Sequence, residues 1–151
     1  MFKVKNILLP TDFSKISLTA AEYAVEFAKE YKAKLHLLNV LEKTPPILAI
    51  RSLDLSREKI IESIDADAKS QLTECTKKVK KFGDVEIISV IRKGVDYEEI
   101  IKYSKEKKID IIVIATHGRT GILHTLLGSV AEKVIRYSKI PVLVTTPPSK
   151  S

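Results

Sequence analysis

The feature that most constrains this chain is a repeated change in the period of its apolar residues. Short β-branched runs alternate with longer segments in which apolar residues recur every three or four positions. The short runs are Val4 to Leu9, Lys34 to Val40, Val85 to Ile91, Asp110 to Ala115 and Pro141 to Thr145, and each is read as a strand. Strands separated by helical patterns are the mark of βα units laid into a parallel sheet. Ile111, Ile112, Val113 and Ile114 are consecutive, as expected of a central strand covered on both faces. Val85, Ile87 and Ile91 alternate with Glu86 and Ser89, which suits a strand nearer an edge.

The intervening segments predict four helices. Ala20, Ala24, Phe27, Ala28 and Tyr31 share one face of a helix over residues 15–31, with Ser14 placed to cap it. Ile61, Ile64, Ala68, Leu72, Cys75, Val79 and Phe82 continue the period through a long second helix that Gly83 ends as a C-cap glycine. Cys75 falls on this apolar stripe and reads as a packed core thiol. Asp96 with Glu99, and Ser129 with Glu132, have the spacing of capping boxes that open a third and a fourth helix. Right-handed crossovers with helices on both faces then favour a doubly wound α/β fold, a five-stranded parallel sheet of order 3-2-1-4-5. Residues 1–146 are expected to form a single domain, with residues 147–151 as a frayed tail and Leu41 to Leu55, which contains Pro45 and Pro46, as the only long irregular connection.

Charge and composition narrow the functional classes. The net charge is +7, and the excess lies in the second half, where Lys77, Lys78, Lys80 and Lys81, and then Lys102, Lys105, Lys107 and Lys108, fall near predicted helix ends and complement the helix dipoles. That reading is preferred to a nucleic-acid partner, because no DNA- or RNA-reading motif is present and aromatics are only 6%, thin for base stacking. One cysteine cannot form an internal disulfide, and three scattered histidines make no zinc-ligand cluster, so no metal-ligating residues are assigned. No apolar run reaches the roughly 18 residues that a membrane span needs, and the start MFKVKNILLP has no long apolar stretch of a signal peptide. A cytoplasmic protein without a membrane partner is expected.

In the 3-2-1-4-5 order the first and fourth strands are neighbours, and the ligand crevice of such sheets lies beyond the carboxyl ends of the strands where the order reverses. Topology alone therefore places Pro10, Thr11 and Asp12 opposite Ala115 to Gly121, with the end of the second strand at Val40 nearby. Three of the five glycines, Gly118, Gly121 and Gly128, fall within eleven residues in ATHGRTGILHTLLGSVAEK, between the fourth strand and the fourth helix. Glycines there let backbone amides approach an anion, the helix start adds partial positive charge, and Arg119 adds a full one. The structural alternative is that Gly118 and Gly121 only make a turn and Ser129 only caps a helix. The stretch is not a Walker loop, since no lysine follows its second glycine, and the chain has no GxGxxG after the first strand and no GxSxG elbow.

KNILLPTDFS at the start, DIIVIATHGRTG and LLGSVAEKVIR in the middle and IPVLVTT at the end together resemble the universal stress protein family over essentially the whole chain. The resemblance implies a flavodoxin-like or adenine-nucleotide α-hydrolase-like fold and a homodimer joined through the last strand, Pro141 to Thr145. In one branch of the family it also implies ATP held by a Gly-x2-Gly-x9-Gly-Ser/Thr loop. Placed on this chain, it sets Asp12 and Val40 at the adenine and Pro10 and Thr11 near the ribose. The loop from Ala115 through Thr116, His117, Gly118, Arg119, Thr120 and Gly121 to Gly128, Ser129 and Val130 would follow the phosphates. Ala115 departs from the pattern, standing where the first motif glycine would be. A backbone of positive φ at that position would make its Cβ cost about 1 to 2 kcal/mol, whereas a negative φ would make the methyl almost neutral.

His117 reads as a loop-positioning residue or a phosphate hydrogen-bond partner, His124 as a surface residue and His36 as structural. Asp12 has three readings open to it: contact with the base, a magnesium shell through water, or the turn before the first helix. A single acid without a paired base or a Walker lysine points away from rapid phosphoryl transfer, and no catalytic residue is assigned. The expected function is ATP binding with Mg²⁺, with AMP or ADP as alternative nucleotides, as a regulatory switch with slow or no hydrolysis. The competing reading is a nucleotide-free homodimeric interaction module of the same fold.

Overall fold

The computed structural model describes residues 1–43, 56–116 and 127–146. Among them are β1 (Asn6–Pro10), a 3₁₀ turn (Ser17–Ala20), α1 (Ala21–Tyr31), β2 (Lys34–Leu41), α2 (Arg57–Lys80), β3 (Ile87–Lys93), α3 (Asp96–Glu106), β4 (Ile111–Ala115), α4 (Ser129–Tyr137) and β5 (Val142–Thr145). The five strands are parallel and ordered β3-β2-β1-β4-β5, the order that the connection rules favour. Every residue of β4 is buried, and β3 and β5 form the edges.

Strand alternation divides the interior into two apolar clusters. Leu9, Leu35, Leu37 and Val113 face α1 and α2, where they meet Ala24, Val25, Leu72, Cys75 and Val79. Leu8, Leu38, Ile112 and Ile114 face α3 and α4, where they meet Ile100, Tyr103, Ala131 and Val134. At about 1.5 to 3 kcal/mol for each fully buried aliphatic side chain, these two layers are the main source of the fold's stability.

Several local expectations need correction. The first helix is broken into a 3₁₀ turn and α1, because the Ser17 and Thr19 hydroxyls donate to the carbonyls of Ser14 and Ile16 and tighten that turn. Ser14 still acts as a cap, its Oγ accepting from Ser17 N–H at 3.0 Å. Tyr31 and Phe82, expected on buried stripes, are 45% and 41% exposed. The second helix begins at Arg57, four residues before Ile61, with Ser56 Oγ accepting from Lys59 N–H. Gly83 is not a left-handed C-cap, since Lys81 leaves α2 in right-handed geometry and Gly94 is the glycine of positive φ among the described residues. A Cβ at Gly83 would meet only the end of the flexible Lys29 side chain and the edge of Val25. The Asp96–Glu99 box does not form: Val95 holds the cap position of α3, and Asp96 Oδ1 accepts from Tyr97 N–H instead. The Leu41 to Leu55 connection from residue 44 onward and the 147–151 tail lie outside the described residues.

At the amino ends of the strands His36 is 5% exposed and fully engaged. Its Nε2–H donates to Asn6 Oδ1 at 3.1 Å, so the ring's Nδ1 accepts from the Tyr103 hydroxyl at 2.7 Å. Burial, with Lys107 and Lys34 nearby, holds its pKa below the ordinary value of 6.5. The imidazole is thus a structural strut between β2 and α3, as the sequence suggests.

Candidate functional site

The reversal of strand order falls between β1 and β4, where Ile7 pairs with Ile111 and Leu8 with Ile112. Beyond β1 the chain turns at once, and the turn is held by a directional relay of hydrogen bonds. Ser17 Oγ donates to Ser14 O at 2.9 Å, so the Thr11 hydroxyl must donate to Ser17 Oγ at 2.9 Å while accepting from Phe13 N–H at 3.0 Å. Asp12 Oδ1 accepts from Ser14 N–H at 3.0 Å, the geometry of an Asx turn. Phe13 at the apex has φ +68°, a left-handed conformation that costs a residue with a Cβ about 1 to 2 kcal/mol. Backbone held this way against its preference is concentrated at binding and catalytic turns.

The opposite wall starts at the end of β4. Thr116 is 3% exposed and donates its N–H to Thr145 O at 2.8 Å, while its carbonyl accepts from Gly128 N–H. The strand's exit and the start of α4 are thereby joined at their base. His117, Gly118, Arg119, Thr120, Gly121 and His124 belong to residues 117–126, outside the described residues. Gly128, with φ −70° and ψ 158°, is the N-cap of α4, and Ser129 is its first residue. The Ser129–Glu132 capping box is therefore absent: the cap position belongs to Gly128, which has no side chain with which to cap α4. Pro10 is buried, Asp12, Val40 and Val130 are partly buried, and Ser129 is exposed.

Ala115 is settled by its place in the pleat. It belongs to strand β4, is not among the residues of positive φ, and lies in the cluster that faces α1 and α2. Its methyl group packs inward and carries no backbone penalty. Continuing the strand register sets Asn39, Thr11, Ala115 and Thr145 in one row across β2, β1, β4 and β5. They are 4%, 6%, 5% and 6% exposed, so the apolar layer beneath α1 ends at the crevice in a buried polar row.

One member of that row, Asn39, and one residue beneath it, Cys75 of α2, make contacts that escape a reading of the sequence alone. Asn39 Nδ2 donates to Thr11 O at 2.9 Å, and Cys75 lies beneath the same turn, its thiol pushed up in pKa by burial. The signal for Asn39 was its phase, an amide in step with Leu35 and Leu37 at the end of a strand. For Cys75 only the apolar stripe was visible, not what the thiol meets.

The universal stress protein family model matches residues 3–146 of this chain. The chain belongs to that family. The universal stress protein MJ0531 of Methanocaldococcus jannaschii is 39% identical over 97% of this chain and 84% of its own length. The solved structure of MJ0577, a universal stress protein of the same organism, superposes with a TM-score of 0.80 at 30% identity, covering 97% of this chain and 99% of that one. A universal stress protein solved in complex with cAMP shares the fold at a TM-score of 0.72 and 24% identity, covering 95% of this chain and 98% of that one. No helix among the described residues is long and apolar enough to cross a membrane.

Proposed function

We propose that this protein binds an adenine nucleotide, ATP with Mg²⁺, in the crevice between the Thr11–Ser14 turn and the Thr116–Gly128 base, and acts as a binding switch. The observation that carries the reading is that the two turns leave adjacent strands, β1 and β4, at the reversal point of the sheet, one held by a hydroxyl relay and the other opening into α4. Asp12 and Val40 offer a carboxylate and a strand end to a base, and Pro10 and Thr11 lie toward a ribose. The start of α4 at Gly128, Ser129 and Val130 suits phosphate oxygens, whose charge is favoured by the amides and dipole of a helix start. The glycine segment with His117, Gly118, Arg119, Thr120 and Gly121 enters from its sequence, and Ala115 and Thr116 serve as its inner support. A protein of the same fold solved in complex with cAMP supports an adenine nucleotide as the class of ligand.

Among the described residues no group of three potential metal ligands gathers, so Mg²⁺ would be carried chiefly by the phosphates, with Asp12 as the one carboxylate at the crevice. The chain's own residues bind and orient; with no general base assigned, turnover is slow or absent. The protein works as a homodimer paired through β5, the apolar edge strand. Calorimetry with ATP tests the nucleotide reading: binding in the micromolar range that is abolished by Gly128→Trp is expected. No heat at millimolar ATP would overturn it in favour of a nucleotide-free module.

A further inference from the structure

We propose that Asn39 is a positioning residue that fixes the nucleotide-facing turn by clamping the last carbonyl of the β1 side to the end of β2. β1 and β2 pair from Asn6 with Lys34 to Pro10 with Leu38, and Thr11 N–H still donates to Leu38 O at 2.9 Å. One step further, the Thr11 carbonyl is held by the Asn39 side chain, at 2.9 Å from Nδ2. The chains part at this point, since the relay through Thr11, Phe13, Ser14 and Ser17 bends β1's exit over the 3₁₀ turn. A side-chain amide can span a gap that is opening, where a backbone ladder cannot.

The chemistry fixes the orientation of the amide. A backbone carbonyl only accepts, so the nitrogen of Asn39 faces Thr11 and its oxygen faces away. That oxygen is buried and has no hydrogen-bond partner among the described residues. A leucine of similar shape would fill the same space without stranding an acceptor, so what the amide adds here is its donor. Asn39 stands between Thr11 and Val40, from the two chain segments to which base and ribose contacts are assigned. Its clamp sets their separation, and this part of the inference rests on the nucleotide reading above.

Two variants, Asn39→Leu and Asn39→Asp, separate the possibilities with two readouts. Amide hydrogen exchange of the unliganded protein is the first: Asn39→Leu is expected to lower protection at Asp12, Phe13 and Ser14 at least tenfold relative to wild type, with α3 unchanged. Titration with ATP is the second, expected to weaken about tenfold in Asn39→Leu. In Asn39→Asp the carboxylate repels the Thr11 carbonyl at pH 8, but once protonated it donates as the amide did. Burial raises its pKa, so affinity and protection, each taken as a ratio to wild type at the same pH, should recover between pH 8 and 5. Unchanged protection in Asn39→Leu, or a flat ratio for Asn39→Asp, would overturn the clamp even where wild type binds ATP. Wild type that binds no ATP defeats the nucleotide reading instead, and the exchange data then decide the clamp by themselves.

Discussion

At residue scale, two side chains allow direct tests. Ala115→Gly is expected to leave ATP affinity within about twofold of wild type, because the methyl it removes points into the layer beneath α1. The cost falls on stability: glycine in a strand interior loses about 0.5 to 1 kcal/mol, a fall of roughly 1 to 4 °C in Tm for a chain of this size. A gain of tenfold in affinity would show that this position reaches the nucleotide after all. His36 gives a pH test. Its folded pKa is lower than its unfolded value, so the unfolded chain binds more protons in mild acid and stability rises with pH. The contribution is complete above about pH 6.5 and is lost as pH falls from there toward the lowered folded value. Protonation also places a charge beside Lys107 and Lys34 and turns the Tyr103 hydroxyl from donor to acceptor. Thermal melts between pH 7.5 and 5 should show a downward slope that flattens in His36→Gln.

At the scale of elements, the turn after β1 and the base of the glycine segment can be loosened separately. Ser17→Ala removes the acceptor of the buried Thr11 hydroxyl, which should cost about 1 to 3 kcal/mol and raise hydrogen exchange at Phe13. Gly128→Ala meets no backbone obstacle, since φ there is −70°, so the fold should melt close to wild type while ATP binding weakens tenfold or more. A variant that binds as wild type would mean that no phosphate approaches that Cα. The elements themselves were legible because each period change reports which faces are covered: β4 reads as four apolar residues in succession and is buried throughout. Helix starts were less legible. Asp96 and Ser129 have cap-like chemistry, yet Val95 and Gly128 hold the cap positions, because loop geometry chooses the turn and sequence spacing does not. The reversal of strand order between β1 and β4 could be read from topology, while the Asn39–Thr11 hydrogen bond and the Cys75 contact arise between strands and helices that only folding brings together.

At the scale of the whole molecule, β5 offers the surface on which an assembly would form. Pro141 O and Thr145 O are both taken by β4, so Val142 and Val144 turn their backbone groups toward the open side. Val144→Pro deletes one outward N–H without touching the β4 ladder, and edge strands tolerate that change. Light scattering should report a dimer for wild type and a monomer for Val144→Pro; a monomeric wild type would remove β5 from the account.

The bond between Gly128 N–H and Thr116 O has a reach beyond its own two residues. It ties together the two described residues that flank the glycine segment, Thr116 and Gly128, and so closes a ring in the covalent chain at one point of the scaffold. Doubling the length of such a ring costs only about 0.6 kcal/mol in closure entropy. The scaffold can therefore accept a longer or rewritten ring without rebuilding its sheet, and a change of guest is open to it through that insert alone.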